Sequence, residues 1–113
     1  MHEVSIVTNA LEIALEQMHR QGASRIHSVT LRIGELSGVV PEALTFAFKA
    51  VTAGTPAETA RLVVEAVPVR CYCSRCGGEF HPADMIFRCP SCGQISGDIR
   101  CGRELELTSL EVS

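Results

Sequence analysis

The sequence predicts an α+β fold: two helices on a three-stranded sheet, with a cysteine module of zinc-ribbon type inserted before the last strand. Apolar residues recur every three or four positions near the start of the chain and again after Pro41, which is the helical period. In three other stretches they alternate, as in half-buried strands. All six cysteines fall between residues 71 and 101, so they read as one local site and not as a framework stapling the whole chain.

The first helix is predicted over residues 4–20. Val4, Val7, Leu11, Leu15 and Met18 mark its apolar face, and Gly22 is a natural residue for ending it. Residues 25–33 follow as a strand, with Val29, Leu31 and Ile33 opposed to Thr30 and Arg32, and Gly34 ends it. GELSGVV supplies a loop, and Pro41 suits the first position of a second helix, whose face is Leu44, Ala47, Phe48 and Val51. Gly54 and Pro56 stop that helix, and residues 61–67 form a second strand closed by Pro68. Residues 103–112 alternate again, with a slip of phase between Leu107 and Leu110 that predicts a bulge. This last strand cannot bury an apolar face alone, so it is expected to return to the first sheet. The predicted organisation is therefore 1–68 plus 102–113 as one α/β domain, with 69–101 as the inserted ribbon.

A chain of 113 residues is long enough for one core and a small module. With 46% hydrophobic and 20% charged residues it is globular, and with 4% aromatics its core must rest on aliphatic side chains. No apolar run approaches the roughly 20 residues needed to cross a bilayer. The N-terminus lacks a basic region, and Glu12 and Glu16 interrupt its apolar part, so it does not read as a signal peptide. The expected location is cytoplasmic, with no membrane partner, where paired cysteines stay reduced and read as metal ligands. The net charge of −3 divides into +2 over Arg70–Arg103 and −5 elsewhere; neither value names a polyanionic or polycationic partner.

Cys73-Ser-Arg-Cys76 and Cys89-Pro-Ser-Cys92 are separated by twelve residues. Two residues between cysteines let a tight turn present both sulfurs to one ion at about 2.3 Å. Gly77 and Gly93, one after each pair, tolerate positive φ and allow backbone amides to face the thiolates. Two such knuckles, joined by a β-excursion from Glu79 to Arg88, make a ribbon. Four thiolates suit tetrahedral Zn(II) and leave no open position, which makes the site structural and not hydrolytic. An iron–sulfur cluster also uses four cysteines, but the regular pairs with their glycines favour zinc. Thioredoxin-like chemistry would need a single pair at a helix N-terminus after a strand. Cys71 could stand in for Cys73 during metal exchange; the plainer reading of Cys71 and Cys101 is two small, partly buried thiols.

Met1-His2-Glu3, the turn Ile33-Gly34-Glu35-Leu36-Ser37, the two cysteine pairs with Pro90 and Gly93, and the closing Gly102-Arg103-Glu104-Leu105 together resemble the HypA/HybF family of hydrogenase nickel-incorporation proteins. The resemblance runs the length of the chain. It implies a nickel metallochaperone that works with a HypB-type GTPase to load the large subunit of [NiFe]-hydrogenase, with relatives in some organisms serving urease. It also implies His2 as the nickel ligand with Glu3 close by, and zinc on Cys73, Cys76, Cys89 and Cys92. Some members carry an acidic residue before the second helix. Glu42 is the nearest carboxylate here, in a first turn where the helix dipole favours one anyway.

The chemistry of Met1-His2 can also be read directly. The α-amine, a deprotonated backbone amide at His2 and the imidazole can chelate one ion through adjoining rings, a set that suits Ni(II) or Cu(II) and not tetrahedral zinc. Positions left open would admit Glu3 or a partner's ligand, as a carrier needs. His19, His27 and His81 have no partner at ligand spacing and read as surface or locally satisfied side chains. The sequence has no phosphate loop, nucleophile elbow or second His–carboxylate cluster, so it is not expected to be an enzyme, and any nucleotide energy must come from a partner. The alternative is a zinc-ribbon module that binds nucleic acid or protein without a nickel function. The arginines at 70, 75, 88, 100 and 103 support it; the acidic remainder and the lack of a basic stripe oppose it, and no nucleic-acid partner is expected.

Overall fold

The computed structural model describes residues 2–83 and 86–113. Helix α1 spans Glu3–Arg20 and ends in paired reverse bonds, Gly22 N–H to His19 O at 3.1 Å and Ala23 N–H to Met18 O at 3.0 Å. Gly22 takes φ +69 there, the conformation that a glycine reaches at no steric cost. Val7, Leu11 and Met18 of the predicted face are buried and Leu15 packs against them, but Ile6, Ala10 and Ala14 complete the buried face and Val4 does not. Val4 is 46% exposed. The helix is covered from two sides, by the sheet and by the second helix, so its apolar stripe is wider and turned toward Ile6 and Ala10.

Strand β1, Ile26–Gly34, is the centre of a sheet ordered β2-β1-β6. A single 3₁₀ turn at Glu35–Ser37, in the segment expected to be a loop, leads to helix α2, Pro41–Thr52. Pro41 stands in the first turn, and Leu44, Ala47 and Phe48 are buried as the periodicity predicts. Strand β2, Arg61–Val67, returns parallel to β1, which the α2 crossover makes possible. Strand β6, Leu105–Val112, lies antiparallel on the other side of β1. Thr30 faces Ser109 while Leu31 faces Leu107, so Thr108 is the extra residue of a bulge, where the phase slip lies. The last strand thus pairs with the first sheet, and the cysteine module is an insertion between β2 and β6.

The module has a small sheet of its own, β4-β3-β5, from Arg70–Cys73 (β3), Gly78–Phe80 (β4) and Ile99–Cys101 (β5). The molecule measures 54 × 25 × 16 Å, with a radius of gyration of 17.5 Å. A compact chain of this length would give about 13 Å, so the module extends the body and does not pack flat against it.

Direction along the body matters for function. Residues 21–25 reverse the chain between α1 and β1, and Ile6 and Ile33 line the same surface groove. The start of α1 therefore lies at the end of the body where β1 finishes. The 3₁₀ turn and the first turn of α2 follow directly from β1, at that same end.

Candidate metal centres

The two cysteine pairs are carried by matching turns. Gly77 N–H donates to Cys73 O and Gly93 N–H to Cys89 O, both at 2.8 Å, and the glycines take φ +73 and +77. A Cβ at Gly77 or Gly93 would meet nothing within 4 Å, so backbone conformation and not space calls for glycine there.

The four sulfurs, Cys73, Cys76, Cys89 and Cys92, all lie within 4.8 Å of one another. Cys73 Sγ is 3.6 Å from Cys92 Sγ, and Cys76 Sγ is 3.8 Å from Cys89 Sγ. A tetrahedral ion with sulfur arms of about 2.3 Å has an edge of about 3.8 Å, so the cluster fits a tetrahedral thiolate-bound ion. The electrostatics agree. Backbone N–H groups of Cys92 and Ser91 hold the Cys89 thiol down to about 7. Hydrogen bonding with the sulfurs of Cys92 and Cys89 pushes Cys76 up to about 12. Four sulfurs this close cannot all ionise without a cation among them, so loading a metal displaces the Cys76 proton.

Cys71 and Cys101 stand outside that cluster. Cys71 is fully buried, more so than a partly buried thiol, and burial pushes its ionisation up. It faces Phe80 and behaves as a small apolar side chain. Cys101 Sγ lies 3.5 Å from Pro68 O.

At the other centre, His2 is the residue before α1, with extended backbone (φ −77, ψ 134), and its carbonyl accepts Ile6 N–H at 3.2 Å. Its side chain is exposed, and Glu3 opens the helix. Met1, expected in the same ligand set, lies outside the described residues. Glu42 is exposed in the first turn of α2, at the same end of the body. His19 is exposed in the last turn of α1, and His27 hydrogen-bonds Ser113 Oγ. His81 meets a partner across the joint between module and body: its Nε2 is 3.4 Å from Glu35 Oε1. That contact carries no local sequence signal, because the partners are 46 residues apart.

The HypA family, described as hydrogenase/urease nickel incorporation, metallochaperone, matches residues 1–112. This chain belongs to it. The hydrogenase maturation factor HypA of a Picosynechococcus species is 53% identical over 112 residues, covering 99% of both chains. That of Chloroflexus aggregans is 46% identical over 112 residues and 98% of both. Among solved structures, the nickel metallochaperone HypA from Helicobacter pylori superposes with a TM-score of 0.68 at 26% identity, over 99% of this chain and 97% of that one. A second HypA solution structure gives 0.72 at 26% identity, over 100% and 97%. The family is one of metallochaperones for hydrogenase maturation, and its place in that process implies hydrogenase-related partners. No helix among the described residues is long and apolar enough to cross a membrane.

Proposed function

We propose that this chain carries Ni(II) at its N-terminus and helps insert it into the large subunit of [NiFe]-hydrogenase, working in the cytoplasm with a HypB-type GTPase and catalysing no reaction itself. The observation that carries the reading is a full-length match to a nickel-incorporation family that begins at residue 1, where His2 stands just ahead of a helix. The α/β unit, residues 1–68 with 102–113, is the nickel carrier, and residues 69–101 are the zinc unit.

Ligation follows from the helix start. The helix uses the carbonyl of His2 and not its N–H, because the first N–H groups of a helix have no acceptor within it. Deprotonating that amide onto the ion therefore breaks no helical bond. The amine of Met1, the amide and imidazole of His2 and the carboxylate of Glu3 form a nitrogen-rich set suited to Ni(II). His2 is exposed, so a partner's ligand can join before the original ones leave. Zn(II) on Cys73, Cys76, Cys89 and Cys92 is closed by four thiolates and holds the module's structure. Of the ribbon arginines, Arg100 is engaged within the module: it stacks on Tyr72 at 4.4 Å and is held by Asp98 through bonds of 2.9 and 3.0 Å.

The test is a nickel titration of tag-free, zinc-loaded protein beside His2→Ala, with metal content measured before and after. One nickel per chain without zinc loss, abolished in the variant and by residues added before Met1, is expected. Nickel uptake only by displacement of zinc would refute a dedicated N-terminal site.

A further inference from the structure

The chain passes between body and module twice, through Pro68–Val69 and through Cys101–Gly102, and the two passages lie against each other. A Cβ on Gly102 would sit 2.9 Å from Val69 Cα, and one on Gly34 would sit 2.1 Å from Gly102 O. The next residues of the body bind at the same spot. Leu36 N–H donates to Gly102 O at 2.7 Å, and the Leu36 side chain packs against the module's buried cluster. These contacts are concentrated around one narrow neck. A neck of this kind sets a pivot but not an angle about it.

One side chain reaches further. Oε1 of Glu35, in the 3₁₀ turn at the end of β1, accepts Val69 N–H at 2.9 Å. The same oxygen lies 3.4 Å from Nε2 of His81, just beyond β4. A single carboxylate thus touches the passage by which the chain enters the module and a residue beyond β4, away from that passage. A contact made away from a pivot, in addition to one at it, is what fixes an angle.

We propose that Glu35 is the positioning residue of this joint, holding the cysteine module in one orientation against the end of the body where both helices begin. Both Glu35 and His81 are about half exposed, so the pair adds little to stability and its contribution is geometric. If the N-terminus carries nickel as proposed above, the orientation set by Glu35 decides which face of the module stands beside the metal.

The experiment uses full-length, zinc-loaded protein, labelled with ¹⁵N and partly aligned, comparing wild type with Glu35→Ala, Glu35→Gln and His81→Ala. In the wild type one alignment tensor should fit the amide couplings of body and module together. In Glu35→Ala the couplings of the module should no longer fit the body's tensor, with zinc content and melting temperature unchanged. Glu35→Gln, which keeps an acceptor for Val69 N–H, and His81→Ala should each depart less. A common tensor that survives in Glu35→Ala overturns the proposal, as does a departure seen only where zinc is lost. Should Glu35→Ala fail to fold, an unchanged tensor in both other variants overturns it equally. Alignment does not depend on nickel, so a failed nickel titration would refute the carrier reading and leave this inference standing.

Discussion

Among the described residues, fourteen form the buried cluster of the body and all are apolar; in the module the cluster has five, of which three are cysteines. Two of those three, Cys73 and Cys89, belong to the four-sulfur site. The body can therefore fold on the transfer of Ile, Leu, Val, Met and Phe side chains from water, a term that needs no ligand. The module is expected to need more. Two of the four sulfurs that would hold a metal lie in its interior, and a buried thiolate is costly unless a cation neutralises it. Metal content is therefore expected to govern the module and not the body.

Removing the metal should have the largest effect. Structural zinc contributes on the order of 10–16 kcal/mol in small finger peptides, far more than a cluster of five side chains. Strong chelation should therefore move the amide resonances of residues 70–101 to unfolded positions while β1, β2 and β6 keep their cross-strand contacts. A module that stays folded metal-free would show its packing to be sufficient, and the contrast would be lost. The converse change is Leu44→Ala, at a fully buried position of α2. It should cost the body about 2–5 kcal/mol by the transfer and cavity terms, read as an earlier urea transition. The metal affinity of the cysteine site should stay as it was.

The two parts also differ in how much of them was legible in the sequence. Spacing alone places β2 at 61–67, puts Pro41 at the head of α2 and sets a bulge between Leu107 and Leu110, because hydrophobic periodicity and the special residues Pro and Gly act locally. The cysteine pairs are readable for the same reason. What spacing misses depends on distant partners. The rotation of α1 that exposes Val4 and buries Ala14 is set by α2 and the sheet together. Strands β3 and β5 are four and three residues long, too short for alternation to mark them, and in β3 Cys73 belongs both to the buried cluster and to the four-sulfur group. Glu35 reads as one letter of a turn, yet its contacts are 34 and 46 residues away.

The smallest effect gives the finest comparison, because two glycines present the same local problem in the two settings. Gly22 ends α1 with φ +69 and Gly77 follows Cys76 with φ +73; a Cβ at either would meet nothing within 4 Å. Replacing either by alanine therefore adds only the strain of a left-handed residue, about 1 kcal/mol, with no clash to confuse it. In Gly22→Ala that strain falls on a unit held by hydrophobic burial. It should lower the melting temperature of the body by about 5 °C and leave metal binding untouched. In Gly77→Ala the same strain falls on a turn whose purpose is to aim Cys73 and Cys76 at one ion. It should appear as a metal affinity about 5-fold weaker, since 1.4 kcal/mol corresponds to tenfold, with the body's melting temperature unchanged. Equal shifts in the same observable for both variants would mean that body and module melt as one unit, and the separation drawn between burial and ligation would not hold.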